Sequence, residues 1–368
     1  MIRSWRWSVV VGSALTIAAV PMLLRVLPVG GGPGDAVALL RRVVAARGAA
    51  YSGYAESTGS LALPVGDEFN DTTTLLGGRT QLRVWWRGDR DWRVDTLDAA
   101  GERSLRVTPS GSWQWDFEDS RATRVFDEPP GAVRLPRTGD GLPPALAERL
   151  LSGATPGQAA LLPGRRVAGR PADGLRIRPR DPLSSIDRID VWSDRASGIP
   201  VSVDVYGRGQ SRPALSTTFL DFAPGRPAAA TTTFTPPPSA RVRFDSRFDL
   251  IDALARFSPA QPPDVLRRYR RQDSLIGAGS VGLYGSGVTQ IAVAALPSRR
   301  ASSLERQLQL AAGAHPVAAG TVVTVGPVGL LLTRADDAGT RWLLTGTMTT
   351  EGLAEAADEL LARQRAPS

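Results

Sequence analysis

The stretch GSWQWDF, residues 111–117, places Trp113, Trp115 and Phe117 at every second position with Ser112, Gln114 and Asp116 between them. Alternate side chains of a strand share a face, so this segment reads as a strand with three aromatics on one side and three polar groups on the other. Its neighbours read the same way. RTQLRVWWR (79–87) puts Leu82, Val84 and Trp86 on one face, DWRVDTL (91–97) offers Trp92 and Val94, and ERSLRVTP (102–109) offers Leu105 and Val107. RATRVF (121–126) follows, Tyr51 to Leu63 precedes the set as a first strand, and RGDRD and AAGE supply turns between strands. A meander of this kind builds a curved antiparallel sheet with one dry face.

The pattern breaks at EPPGAVRLPRTGDGLPP (128–144), after which PALAERLL (144–151) and PGQAALL (156–162) read as two short helices. Strands resume with RVAGRPADGLRIRPR (166–180), IDRIDVWSD (186–194) and GIPVSVDVYG (198–207), where Ile199, Val201, Val203 and Val205 alternate with polar or small residues. ALSTTFLDF (214–222) and TTTFTPPPSARVRF (231–244) close the series, and the proline run at 236–238 marks its end. Upstream, Asp35 caps DAVALLRRVVAAR, whose Leu39, Leu40, Val43 and Val44 follow helical spacing. The remainder mixes types. SRFDLIDALARF (246–257), SSLERQLQLAAG (302–313) and TEGLAEAADELLARQ (350–364) are expected as helices, and TQIAVAALP, TVVTV, GLLLTRA and RWLLTGTMT as strands. The fold class is therefore α+β, mainly antiparallel β. The expected organisation is an amino-terminal segment over 1–29, a Gly/Pro stalk over 30–34, a β domain over 35–243 and a smaller α+β domain over 244–368.

The 368 residues are globular in composition, 42% hydrophobic and 22% charged, with a net charge of +8 carried entirely by arginine as the cation. There is no Cys and a single His, His315, so thiolate catalysis, disulfides and zinc clusters are excluded and the reading is not an enzyme. His315 lies in GAHPVAAG without a nucleophile elbow, and it reads as a loop histidine. No cofactor and no metal are expected; GDEFND (66–71) clusters three acids without calcium-loop spacing. LIGAGSVG formally matches a dinucleotide fingerprint at Gly277, Gly279 and Gly282. Its polar approach and the following Gly285 and Gly287 contradict a strand–turn–helix, so glycine turns between strands are expected instead.

Arg3 and Arg6 precede an apolar run at 9–24, with Trp5 and Trp7 beside it. A spanning helix needs about 20 mostly apolar residues, which Trp7 to Leu24 nearly supply. The expectation is a retained single-pass anchor with the amino terminus cytoplasmic and the bulk outside the cytoplasm; a cleaved signal and secretion are the alternative. In that compartment nucleic acid is not an expected partner, and the arginine run LRRYRRQD (266–273) reads as solvated surface.

These segments together resemble the LolA-like family, and within it the MucB/RseB regulators of extracytoplasmic-stress sigma factors. The likeness rests on Val167-Ala168-Gly169-Arg170, on Trp192 with Asp194, and on Gly198-Ile199-Pro200 opening a strand. It spans most of 35–243; SVGLYGSGVTQIAVAALP (280–297) carries a weaker likeness to the carboxy-terminal domain of that family. The resemblance implies a half-open barrel of antiparallel strands plugged by helices, lined with apolar side chains. It also implies a lipid or acyl-chain ligand and, as partner, an anti-sigma factor or other membrane protein bound by its extracytoplasmic segment. A lipid or lipoprotein carrier of the envelope is the alternative function. Candidate ligand-binding residues are Val84, Trp86, Trp113, Trp115, Phe117, Ile199, Val201 and Val203. Whether the aromatic face around GSWQWDF is sheet core or the wall of such a cavity stays open at the level of sequence.

Overall fold

The computed structural model describes residues 34–59, 77–98, 101–125, 138–245, 258–272, 281–311, 313–337 and 339–363. The apolar run at 9–24, the acidic cluster at 66–71 and the helix expected at 246–257 lie outside these residues. No described helix is long and apolar enough to cross a membrane.

Helix α1 (Ala36–Ala45) starts where Asp35 accepts hydrogen bonds from the N–H groups of Val37 and Ala38, 3.1 and 3.2 Å. Eleven strands follow: β1 (Tyr51–Gly59), β2 (Arg79–Gly88), β3 (Asp91–Asp98), β4 (Gly101–Thr108), β5 (Gly111–Asp116), β6 (Arg121–Val125), β7 (Ala159–Val167), β8 (Arg170–Ile177), β9 (Ile186–Asp194), β10 (Pro200–Gly207) and β11 (Leu215–Pro224). β12 (Arg241–Asp245) completes one open twelve-stranded sheet, ordered β12-β6-β5-β4-β3-β2-β1-β11-β10-β9-β8-β7. Two meanders thus meet along β1 and β11. Every pairing is antiparallel except that of β12, which returns parallel to β6. Only Arg241–Asp245 of the expected last strand pairs, since three prolines upstream have no N–H to donate to a ladder.

Helix α2 (Pro143–Leu151) opens with prolines at its first turn, where no N–H is needed. α1 and α2 lie on one face of the sheet. Leu39, Leu40 and Val43 of α1 and Ala147 and Leu151 of α2 form a core with Leu175, Ile177, Ile189, Val191, Val203 and Val205. Arg42 also ties α1 to the sheet, pairing with the buried Asp173 at 2.8 Å. The helix expected at PGQAALL is a single 3-10 turn, Pro156–Gln158, leading into β7. Pairing with β8 holds Ala159 to Leu162 extended, and Pro163, which has no N–H to donate, sits at the register shift between Leu162 and Arg165 on this edge strand.

Cross-strand register assigns the two sheet faces. Leu82, Val84 and Trp86 stand opposite Ala55, Gly53 and Tyr51 on one side, and opposite Thr96, Val94 and Trp92 on the other. Val94 and Trp92 pair in turn with Leu105 and Val107, and these with Gln114 and Ser112. The helix-covered face therefore receives Ser112 and Gln114 from β5. Trp113 and Trp115 pair with Arg106 and Ser104 on the opposite face.

The remaining residues form a short hairpin, β13 (Val265–Leu266) with β14 (Tyr269–Arg270), and a second sheet. Its strands are β15 (Val281–Ser286), β16 (Thr289–Leu296), β17 (His315–Val317), β18 (Gly320–Val325), β19 (Val328–Thr333) and β20 (Arg341–Gly346), ordered β15-β16-β20-β19-β18-β17. Helix α3 (Ser298–Leu310) packs Ala301 and Leu308 against Val323, Leu330 and Leu332 on one face. Helix α4 (Thr350–Arg363) packs Leu353, Ala356, Leu360 and Leu361 against Trp342, Val322, Leu331 and Ile291 on the other. Gly277 and Gly279 lie outside the described residues; Gly282 lies inside β15, not at a helix start, Gly285 (φ +113°) lies near the end of β15 and Gly287 (φ +56°) in the turn to β16. His315 lies on a short edge strand rather than in a loop. The two sheets are joined at Leu183–Ser185: Ser185 N–H donates to Thr347 O, Thr349 N–H donates to Leu183 O, and Asp181 accepts from Arg268. That contact, with Arg267–Glu355 and Arg271–Asp264, engages three cations of the arginine run within the molecule.

Candidate functional site

A pocket of about 120 Å³ opens between the end of α1, the first turns of α2 and the sheet. Val43, Ala46 and Ala49 line one side, Ala145 and Leu151 the other, and Tyr51, Trp86, Ile199 and Pro200 the floor. The floor is built by register: Tyr51 stands opposite Trp86, and Trp86 opposite Trp92. Their rings stack, Tyr51 on Trp86 at 6.0 Å and 6°, and Trp86 on Trp92 at 5.3 Å and 9°. Phe219 meets Tyr51 edge-on at 5.7 Å, holding the phenol ring in place. Across the mouth, Arg47 pairs with Glu148, joining the end of α1 to α2. Burial, and secondarily the charge of Glu148, pushes the Tyr51 phenol far above its ordinary range, so the floor is neutral. This is an apolar recess under a charged clasp, suited to a hydrocarbon group.

Of the candidate residues, Trp86 and Ile199 line this pocket. Val84, Val201 and Val203 lie on the same side but within the core, at 0%, 1% and 0% exposure. Trp113, Trp115 and Phe117 do not join them. They belong to the other face, where the segment around Phe234 crosses the sheet. Phe234 packs on Trp113 at 5.9 Å and on Trp115 at 5.8 Å, and Phe117 meets Trp115 edge-on at 5.8 Å. Arginines interleave: Arg124 over Trp113, Arg106 over Phe234 and Arg93 over Trp85. Burial, with Arg93 nearby, brings the Arg106 guanidinium down to about 10, and Arg106 donates to Thr233 O at 2.8 Å. The aromatic face at GSWQWDF is thus packing for a crossing segment. Period 2 shows that three aromatics share a face; which face follows only from the strand pairing. The pocket residues missed in sequence, Tyr51, Val43, Ala46 and Ala145, meet only because α2 folds back beside α1, which local spacing does not reveal.

The motif residues are hairpin corners. Ala168 and Gly169, at φ +49° and +74°, make the β7–β8 turn, a conformation that favours glycine at its second position. Arg170 then reaches Asp194 at 2.7 Å, and Asp194 accepts from the N–H and hydroxyl of Ser197 in the β9–β10 turn. Gly198, at φ +75°, closes that turn. Burial raises the Asp194 carboxyl, but Arg170 and Ser197 outweigh it and hold the pKa below the ordinary value. A depressed folded pKa contributes stability that is present above the unfolded pKa of about 3.9 and lost as pH falls through the folded value. Asp194→Asn is therefore expected to cost about 1.5–3 kcal/mol at pH 7 and less at pH 3, where part of the carboxylate's contribution has been titrated away. Urea midpoints at the two pH values check this; an equal loss at both would refute it.

Among the described residues no group of three or more His, Cys, Asp or Glu is placed to hold a metal. His315 is exposed, its Nδ1 3.1 Å from Gly313 O.

Fold and site define an α+β protein built on a large open antiparallel sheet with a small apolar pocket under two helices. Solved structures similar to the chain include MucB in complex with MucA(peri), at 18% identity over 88% of this chain and 97% of that one, TM-score 0.47. The MucA/MucB complex of Pseudomonas aeruginosa is similar at 18% identity, 88% and 96% coverage and TM-score 0.47. A LolA-superfamily protein from Nitrosomonas europaea is similar at 12% identity, covering 55% of this chain and 99% of that one, TM-score 0.25. No protein-family profile and no curated protein matches the chain.

Proposed function

We propose that the chain is an extracytoplasmic binding protein, anchored through residues 1–29, that senses an apolar chain and regulates a sigma/anti-sigma factor pathway. In this reading residues 35–243 carry the sensor and 244–368 a smaller second domain. The pocket beneath the Arg47–Glu148 clasp is the observation that carries it. The motif resemblance of 167–200 supplies the anti-sigma segment as partner.

Magnitudes favour a sensor over a carrier. A cavity of roughly 150 Å³ takes one benzene, and this one is about 120 Å³. It accepts the end of an acyl chain, not a whole one. Deeper entry requires α1 and α2 to part, which breaks the clasp. Both clasp residues are largely exposed, so the pair contributes at most about 1 kcal/mol. Each buried methylene returns about 0.8 kcal/mol. A ligand that enters by two or more methylenes therefore offsets the ionic part of the opening, and helix movement becomes the signal.

The test titrates the full-length protein with fatty acids and lysophospholipids while following Trp emission and melting temperature. Stabilisation by mass action is expected, about 2.7 kcal/mol at a hundred times Kd. Ala145→Phe fills the pocket and should weaken binding at least tenfold with the unliganded melting temperature nearly unchanged. Equal binding by that variant would move the site elsewhere. For the partner, the protein should shield an anti-sigma factor's external segment from added protease, and release it on addition of the fatty acid.

A further inference from the structure

β12 closes one side of the twelve-stranded sheet, and among the described residues no strand pairs with its outer side. Its residues Arg241 to Phe244 are all exposed, Val242 by 48% and Phe244 by 74%. Arg241 N–H donates to Ser120 O at 2.9 Å, so the backbone groups of Arg241 and Arg243 face β6. Backbone groups alternate along a strand, which turns the N–H and C=O of Val242 and Phe244 to the open side. Side chains alternate too. Val242 and Phe244 pair with Ala122 and Arg124, which stand opposite Trp115 and Trp113, so both extend the outer aromatic face. Arg241 and Arg243 take the other face, and among the described residues the Arg243 guanidinium has no partner. Sheet edges are commonly blunted by shortness, charged side chains, an internal proline or a bulge; β12 has no proline and no bulge, and its five residues RVRFD carry the charges that would select a partner.

We propose that this edge is a strand-addition site for an extended acidic segment of a protein partner. Apolar residues of that segment lie against Val242 and Phe244, and Asp or Glu against Arg243. Main-chain hydrogen bonds to Val242 and Phe244 supply affinity, and the alternating side chains supply selection. Arg241 already donates to Asp119 O at 2.7 Å, so Arg243 is the selecting cation, and the occupant is acidic because that arginine stands exposed on a chain of net charge +8. The proposal does not depend on the pocket.

The probe is a fluorescein-labelled nine-residue peptide alternating Val and Glu, read by anisotropy against the full-length protein. A Val/Lys peptide and a Val/Glu peptide with a central Pro serve as controls. Val242→Pro removes an outward N–H and leaves the ladder to β6 intact, and at least tenfold weaker binding is expected. Arg243→Glu should weaken the Val/Glu peptide and strengthen the Val/Lys peptide, a reversal that loss of folding cannot produce. Acyl-probe titration should be unchanged in both variants, which separates failure here from failure of the pocket. Equal binding of the Pro-interrupted peptide, or unchanged binding by both variants, would overturn the proposal. So would sedimentation of the wild type as a dimer that Val242→Pro dissolves, since the occupant would then be a second copy.

Discussion

Trp115→Ala is expected to destabilise the protein by about 3 kcal/mol and to leave acyl-probe affinity unchanged. Trp115 is 8% exposed and closed over by Phe117 and Phe234, each 5.8 Å from its ring, so truncation leaves a void beneath the crossing segment. Its backbone pairs with Ser104 on the face away from Tyr51 and Trp86, and the sheet separates it from the pocket. Urea unfolding reads the stability loss, and the fatty-acid titration reads affinity on the same sample. A tenfold loss of affinity with stability intact would place Trp115 in the ligand cavity after all.

Phe219→Ala should cost more, about 4 kcal/mol. The ring is 1% exposed and sits where the two meanders join, beside the bulge between Tyr54 and Ala55 in the β1–β11 pairing. Phe222 lies 5.1 Å away and Tyr51 5.7 Å away. Gly53 makes room for it: a Cβ there would lie 2.9 Å from the Phe219 ring. The surroundings are strands paired on both sides, so they collapse little into the void, and the cavity term stays large. A lower urea midpoint with an unchanged m-value is expected. Because Phe219 also braces Tyr51, the variant should bind the apolar probe more weakly, the opposite of Trp115→Ala. A cost below about 1.5 kcal/mol would mean that the seam repacks freely.

Much of the fold was legible along the chain. The alternation of Leu82-Val84-Trp86 and of Ile199 to Val205, the cap at Asp35 and the strand and turn at Gly282 to Gly287 all follow from nearest neighbours and rotation per residue. Two misreadings have physical causes. PGQAALL matches a helix in composition, but one proline and pairing to β8 make it an edge strand. TTTFTPPPSARVRF matches a strand, yet most of it crosses the outer face, because prolines leave no ladder to form and Phe234 finds aromatics to cover.

Local sequence by itself determined most of the strands, their turns and the pairs of side chains that share a face, since these depend on a period of two and on backbone freedom at single residues. It also determined the chemistry on offer: aromatics, arginines and no thiol. Only tertiary structure decided which face each set would serve. A strand's two faces are equivalent until a neighbour in register and a covering helix distinguish them. Ser104 and Arg106 turned Trp113 and Trp115 outward, and α1 with α2 turned Tyr51 and Trp86 into a pocket floor. The site is a product of long-range pairing, where one residue of register exchanges the inside for the outside.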